Sequence, residues 1–198
     1  EATGLRLIRV RAEAMHRASA ERPGGMTAVL GLTRDQVSDA CRRAREEVAG
    51  SYVDIANHNA ETQVAIAGDK PGLEAAARFC QAAGARRCIP LAVSAAFHSQ
   101  AMAPAAAPMK DAVAQSDMRD AAVSLVANVT ARPITSAADL RAELVEQVAN
   151  PVLWVDGMRA MLAAGVDSFL ELGAGQVLTN LAQRMPEAPA AIAAGDTE

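Results

Sequence analysis

Aromatic residues are scarce in this 198-residue chain: one Trp, one Tyr and three Phe make up 3% of it. Its interior must therefore be filled by aliphatic side chains and by alanine. Alanine accounts for roughly a quarter of the residues, well above ordinary usage. Helices with alanine faces approach a sheet closely, which points to α/β packing in one domain or two small ones. Cysteine is equally sparse. Cys41, Cys80 and Cys88 are odd in number and form no Cys-x-x-Cys pair, which argues against a disulfide framework or a zinc site and fits a reducing cytoplasm. There is no basic excess, since 19 Lys and Arg face 23 Asp and Glu for a net charge of −4, so a nucleic-acid partner is not expected. No apolar run approaches the roughly 20 residues of a membrane span. The opening Glu1-Ala2-Thr3-Gly4 does not read as a signal peptide. A full dinucleotide glycine fingerprint is missing too, and Gly173-Ala174-Gly175 reads as a strand-to-helix turn.

Periodicity supplies the elements. Leu5, Ile8, Ala12 and Met15 recur at helical spacing, giving an amphipathic helix from Leu5 to Ala20 that ends before Pro23-Gly24-Gly25. Met26 to Leu30 reads as a strand, and Thr33 or Asp35 can start a helix running to about Val48. Tyr52 to Asn57 and Gln63 to Ala67 read as strands joined across His58-Asn59-Ala60-Glu61, which puts His58 in a turn. Pro71 to Ala83 is a helix closed by Gly84, and Arg87 to Val93 is a fourth strand. Strand–helix–strand–strand–helix–strand is the ferredoxin-like order. Beyond it we expect a helix from Ala101 to Gln115, interrupted by its prolines, and a strand from Val123 to Val129. Helices over Ala137 to Ala149 and Trp154 to Ala164 follow, then a strand over Ser168 to Leu172. A helix from Gly175 to Arg184 and a short strand from Ala190 to Ala194 close the chain.

The most informative stretch is Val93-Ser94-Ala95-Ala96-Phe97-His98-Ser99, a short apolar run that stops at a histidine. A histidine at the end of a strand can present its ring to a cleft as a general base, although many histidines are simply core or surface residues. With Met102, this run resembles the active-site histidine segment of malonyl-CoA:acyl-carrier-protein transacylases and polyketide-synthase acyltransferase domains. Val10-Arg11-Ala12-Glu13-Ala14-Met15, Gln63 to Gly68 and Gln147 to Trp154 match the same family in the same order. Glu171 to Leu178 is similar to its glycine turn near the C-terminus.

The resemblance implies a large α/β-hydrolase-like subdomain over 1–22 and 92–198, with an inserted ferredoxin-like βαββαβ subdomain over 23–91. It implies transfer of a malonyl group from malonyl-CoA to the phosphopantetheine thiol of acyl carrier protein, through an acyl-serine, in fatty-acid or polyketide synthesis. An acyl hydrolase or a malonate-decarboxylase loading transacylase shares the fold, and a ferredoxin-like interaction module without catalysis is the alternative of another class. His98 is the implied base, and the backbone carbonyl of Gln147 its partner. Arg11 is the implied partner of the malonyl carboxylate, although the pattern alone does not separate it from Arg6, Arg9 or Arg17. Asn57, Asn59 and Asn128 are implied cleft contacts; turn chemistry accounts for the first two equally well. Phe97 is implied to favour malonyl over the bulkier methylmalonyl, or it is a core residue covering the histidine. The implied reaction needs no cofactor and no metal, because malonyl-CoA is a substrate and the phosphopantetheine belongs to the acceptor. Arg86, Arg87 and Lys110 are candidates for meeting an acidic carrier surface.

The family's Gly-His-Ser-x-Gly nucleophile segment and Gly-Gln-Gly loop do not occur in these residues. The expectation is therefore a C-terminal portion of a transacylase, inactive alone, with the serine on a further segment or chain.

Overall fold

Strand residues of alternating character build the centre of the structure, a computed structural model that describes residues 2–187 and 189–195. β1 (Gly25–Leu30), β2 (Val53–Ala60), β3 (Gln63–Gly68) and β4 (Arg87–Pro90) form one antiparallel sheet in the order β2-β3-β1-β4. That order, with a helix in each crossover, is the ferredoxin-like arrangement. Helix α1 (Ala2–Glu21) precedes the sheet; α2 (Arg34–Glu47) and α3 (Lys70–Ala82) are its crossovers. α2 starts at Thr33, which forms a reciprocal capping box with Gln36, and α3 starts at Asp69, whose carboxylate accepts from the Gly72 amide. Gly84 closes α3 in the left-handed region at φ +96°.

The two-residue period sorts the sheet's side chains. Val29, Val53, Val64 and Ile66 face α2 and α3, where they bury Val37, Ala40, Cys41, Ala75 and Cys80. Met26, Ala56, Ala65 and Ala67 face the other way, against α1, Ala95, Ala96, Met102 and Met109. Alanine on this second face brings α1 close to the strands. The buried side of α1 is Leu7, Ala14, Met15 and Ala18; Leu5 and Ile8, expected on the inner stripe, are about two-thirds exposed toward the start of the helix. α1 thus carries apolar surface that the described residues do not cover.

Several boundaries differ from the expectation, each for a local reason. β2 runs on to Ala60 through two register shifts, so His58 is a buried strand residue and not part of a turn. β4 ends at Pro90 rather than Val93; the Leu91 amide makes one more hydrogen bond, to the Met26 carbonyl at 2.9 Å, before the chain turns away. The helix expected from Ala101 splits into a 3-10 turn, Gln100–Ala105, that contains Pro104, and a short α4 (Ala106–Ala114). The strand expected over Val123 to Val129 shrinks to β5 (Leu125–Val126), paired with β6 (Pro133–Ile134). It stops because the Asn128 and Val129 amides donate to the Glu143 carboxylate instead of a strand. α5 (Ala137–Glu146) ends three residues early, ahead of Asn150-Pro151.

The last unit is α6 (Trp154–Ala163), β7 (Ser168–Leu172), α7 (Val177–Ala182) and β8 (Ala190–Ala194). β7 and β8 pair in parallel around α7, which is shorter than the Gly175 to Arg184 expected. Phe169 and Ala191 pack against Trp154, Met158 and Met185. Leu170, Leu172 and Ile192 form the other face and are 61%, 77% and 67% exposed. Parallel strands are ordinarily covered on both faces. Among the described residues, no helix is long and apolar enough to cross a membrane.

Candidate active site

After β4 the chain leaves the sheet in an irregular segment that packs tightly before it reaches His98. Ala95 and Ala96 are fully buried beneath Gly24. A Cβ at residue 24 would lie 2.6 Å from the Gly68 carbonyl oxygen and 2.9 Å from the Ala96 Cβ, so only glycine fits this crossing. Ser99 locks the next turn: its hydroxyl donates to the Ala96 carbonyl at 2.6 Å and accepts from the Ala101 amide at 3.2 Å. Between these fixed points His98 adopts φ +56°, a left-handed backbone uncommon for a residue with a Cβ. The expectation of a histidine at the end of a strand is corrected to this strained corner.

The corner aims the imidazole at the end of α5. The Gln147 amide closes the last α5 hydrogen bond onto Glu143, and the Gln147 carbonyl lies past the end of the helix, where carbonyls lack intrahelical partners. It sits 3.2 Å from His98 Nδ1. A carbonyl only accepts, so Nδ1 carries the proton and Nε2 is left with its lone pair. The Gln147 side-chain nitrogen is also 3.2 Å from Nδ1, but two donors cannot share one hydrogen bond. The side chain instead looks to α1, where Arg11 Nη2 donates to its Oε1 at 2.9 Å.

Arg11, Gln147 and His98 are therefore joined in a row. Arg11 is half-buried and makes no ion pair among the described residues. Burial pushes its pKa down from the ordinary arginine value. His98 is also pulled below the ordinary imidazole value, first by burial; the Gln147 carbonyl opposes this, the Arg11 charge adds to it, and the Asn150 carbonyl opposes it. The ring is therefore neutral near pH 7 and can accept a proton.

In front of this row lies a cleft of about 500 Å³, lined by Arg11, Met15, Asn57, Ser94, Phe97 and His98 among others. That is the size of a small-molecule site. His16, which the sequence suggests is helix surface, also lines it. On its far side His98 borders a second recess of about 300 Å³ with Arg34, Asp54 and Asn150. No hydroxyl of the described residues hydrogen-bonds to Nε2. Among the described residues, no group of three or more His, Cys, Asp or Glu could hold a metal ion.

Comparison with known proteins finds relatives over nearly the whole of the chain. The chain is 36% identical over 191 residues to the malonyl-CoA-acyl carrier protein transacylase of Bacillus subtilis, covering 96% of itself and 60% of that protein. To the Salmonella typhimurium transacylase it is 37% identical over 205 aligned positions, 100% of the chain and 65% of the relative. The crystal structure of an acyl carrier protein S-malonyltransferase from Vibrio cholerae superposes with a TM-score of 0.91 at 32% identity, over 97% of this chain and 62% of that one. The chain is a homologue of the malonyl-CoA:acyl-carrier-protein transacylase family. No protein-family profile matches it. It spans about three-fifths of the length of the transacylases it matches.

Within this transacylase homologue, the structure brings together five of the seven residues singled out from the sequence: Arg11, Asn57, Phe97, His98 and Gln147. Asn59 does not line the cleft, and neither does Asn128, which is exposed on the β5–β6 hairpin. Asn128 contributes its backbone: its amide donates to Glu143, and its carbonyl accepts from the Leu153 amide at 2.9 Å. Sequence reasoning missed the pairing of His58 with Asp156, where Nδ1 lies 2.8 Å from Oδ2. The contact spans 98 residues, beyond any local pattern.

Proposed function

We propose that this chain provides the base and the carboxylate-binding side of a malonyl transferase acting between coenzyme A and an acyl carrier protein. One observation carries the reading: a half-buried guanidinium without an ionic partner among the described residues stands beside a neutral, oriented imidazole in a single cleft. A half-buried cation of this kind is further stabilised by an anion beside it, and a planar guanidinium holds a carboxylate in a two-pronged fork. The free malonyl carboxylate fits that need.

In the proposed reaction His98 Nε2 takes the proton of a serine hydroxyl as its oxygen attacks the thioester carbonyl. The C–S bond breaks, and coenzyme A leaves as a thiol carrying that proton. The phosphopantetheine thiol then gives its proton to Nε2, attacks the acyl-serine and releases the hydroxyl. Gln147 holds the Nδ1–H throughout through a neutral carbonyl, sufficient for an already activated thioester. The serine comes from sequence outside these 198 residues, which contain no Gly-His-Ser-x-Gly. The open apolar faces, Leu5 and Ile8 on α1 and Leu170, Leu172 and Ile192 on β7–β8, suit a segment that packs there. In this arrangement 23–91 is a small insert within a larger subdomain of 1–22 and 92–198.

The test is incubation of the completed enzyme with radiolabelled malonyl-CoA, with and without carrier protein. Label captured on the carrier supports the transferase; release of free malonate in its place means a hydrolase. Phe97 packs at the cleft wall beside His98, and Phe97→Ser opens space for an α-methyl group. The preference for malonyl over methylmalonyl thioesters is expected to fall about 10- to 200-fold, read from paired kcat/KM values.

The carrier partner has support of its own. A malonyl-transacylase of a type II polyketide system, solved in complex with its acyl carrier protein, matches this chain with a TM-score of 0.91 at 35% identity. Arg86, Arg87 and Arg184 line a recess of about 540 Å³ and form no ion pairs among the described residues. Lys110 lies apart from it on α4. Reversing the charge at Arg86 and Arg87 should raise KM for the carrier several-fold and leave KM for malonyl-CoA unchanged. Unaltered carrier kinetics would remove this surface from the proposal.

A further inference from the structure

One part-buried polar contact lies outside the cleft and is not used by the proposed chemistry. His58, 8% exposed on β2, holds Asp156 in the first turn of α6. The carboxylate accepts only, so His58 Nδ1 bears a proton whatever the charge of the ring. In the first turn of a helix an aspartate commonly turns to the free amides, and α6 has no side-chain cap at Leu153. Here it bonds instead to another element of the fold.

What that bond holds becomes clear by following the chain back toward His98. Between the end of α5 and Trp154 runs an irregular bracket, residues 147–153, tied to the free edge of β2 at its far end. The Val152 amide donates to the Ala56 carbonyl at 2.9 Å, and the His58 amide donates to the Val152 carbonyl at 2.8 Å. Its near end carries the Gln147 and Asn150 carbonyls that face the His98 ring. The sheet is rigid and well packed, so the placement of these carbonyls depends on how firmly the far end is pinned. Three backbone hydrogen bonds, the third from the Leu153 amide to the Asn128 carbonyl, and the His58–Asp156 contact do the pinning. The remaining charges on this seam, Arg159 of α6 with Glu61 and Glu187, pair with one another nearer solvent.

We propose that His58 and Asp156 are positioning residues for His98: by fastening the start of α6 to β2, they keep the Gln147 carbonyl on Nδ1 and so hold the ring in the Nδ1–H form. The catalytic meaning rests on the reading of His98 as the base, but the geometric claim stands apart from it.

The experiment is long-range ¹H–¹⁵N correlation of the imidazoles in this 198-residue chain across pH. His98 is assigned by its loss in a His98→Gln variant, and His16 serves as the internal reference. His58→Phe keeps a buried ring and leaves a partly solvated Asp156; Asp156→Ala removes the same bond from the other side. In both, His98 should pass from a single Nδ1–H form to a mixture of tautomers, and its protonation midpoint should fall, because the carbonyl that favours the charged ring has loosened. Asp156→Asn keeps an acceptor and should retain most of the original signature. Either variant suffices if the other does not fold.

An unchanged His98 signature in a folded variant overturns the proposal. So does failure of both to fold, which would make the contact a requirement of the fold itself. In the completed enzyme kcat should drop as much as about 100-fold with KM for malonyl-CoA held. Absence of malonyl loading by the wild type would sink the functional reading and leave the spectra intact.

Discussion

His98→Ala should reduce malonyl self-loading of the completed enzyme by about 100- to 10,000-fold, the usual range for losing a positioned base. Malonyl-CoA binding should change little, because Arg11 and the cleft walls remain. Stopped-flow or quenched-flow capture of the acyl-enzyme separates the two effects, and near-normal loading would end the assignment of His98 as base. The pH profile follows from the same geometry. Burial holds the ring below the ordinary value of 6.5, so the acidic limb of kcat/KM should lie below that of a solvent-exposed imidazole. Stability moves in the same direction. Between the folded value and 6.5 the unfolded chain binds more protons than the folded one. The contribution of His98 is therefore complete above 6.5 and is lost as pH falls through the folded value.

Arg11→Ala is the second large effect. Truncating one member of a desolvated charge pair typically costs about 2–5 kcal/mol, so kcat/KM for malonyl-CoA should fall by roughly 30- to several-thousand-fold. Acetyl-CoA, which has no free carboxylate, should lose far less, and selectivity between the two should collapse. Arg11→Lys should recover only part, because a point charge cannot form the two-pronged contact. Arg11→Ala also removes a positive charge next to His98, so the acidic limb should move to higher pH. A variant that keeps its discrimination against acetyl-CoA would show that the carboxylate is held elsewhere.

The contrast between Arg11 and its neighbours illustrates what the sequence could and could not convey. Four arginines on α1 look alike by spacing, and without the family resemblance none stands out. In the structure Arg6 reaches the Ala112 and Gln115 carbonyls at the end of α4, and Arg9 pairs with Glu13 on its own helix. Arg11 lies one turn from the buried Met15 and turns inward to Gln147. The ferredoxin-like order was readable because local signals state it: Thr33 ahead of α2, Gly84 behind α3, and short apolar runs at β1 and β3. β2 was legible only in part, since two register shifts break its alternation and give Asn57 and Asn59 different surroundings. The short β5 and the His58 contact were hidden for a common reason. Each is decided by a carboxylate far along the chain, Glu143 in one case and Asp156 in the other.

The backbone at residue 98 has a consequence for how this protein could be improved. A side-chain-bearing residue at φ +56° gives up about 1–2 kcal/mol relative to the right-handed helical conformation, and glycine would release that tension. A screen for heat resistance alone would therefore tend to erase the imidazole and, on the proposed role of His98 as base, the reaction with it. On that proposal robustness and turnover are opposed at this single position, so consensus-style stabilisation should leave it untouched.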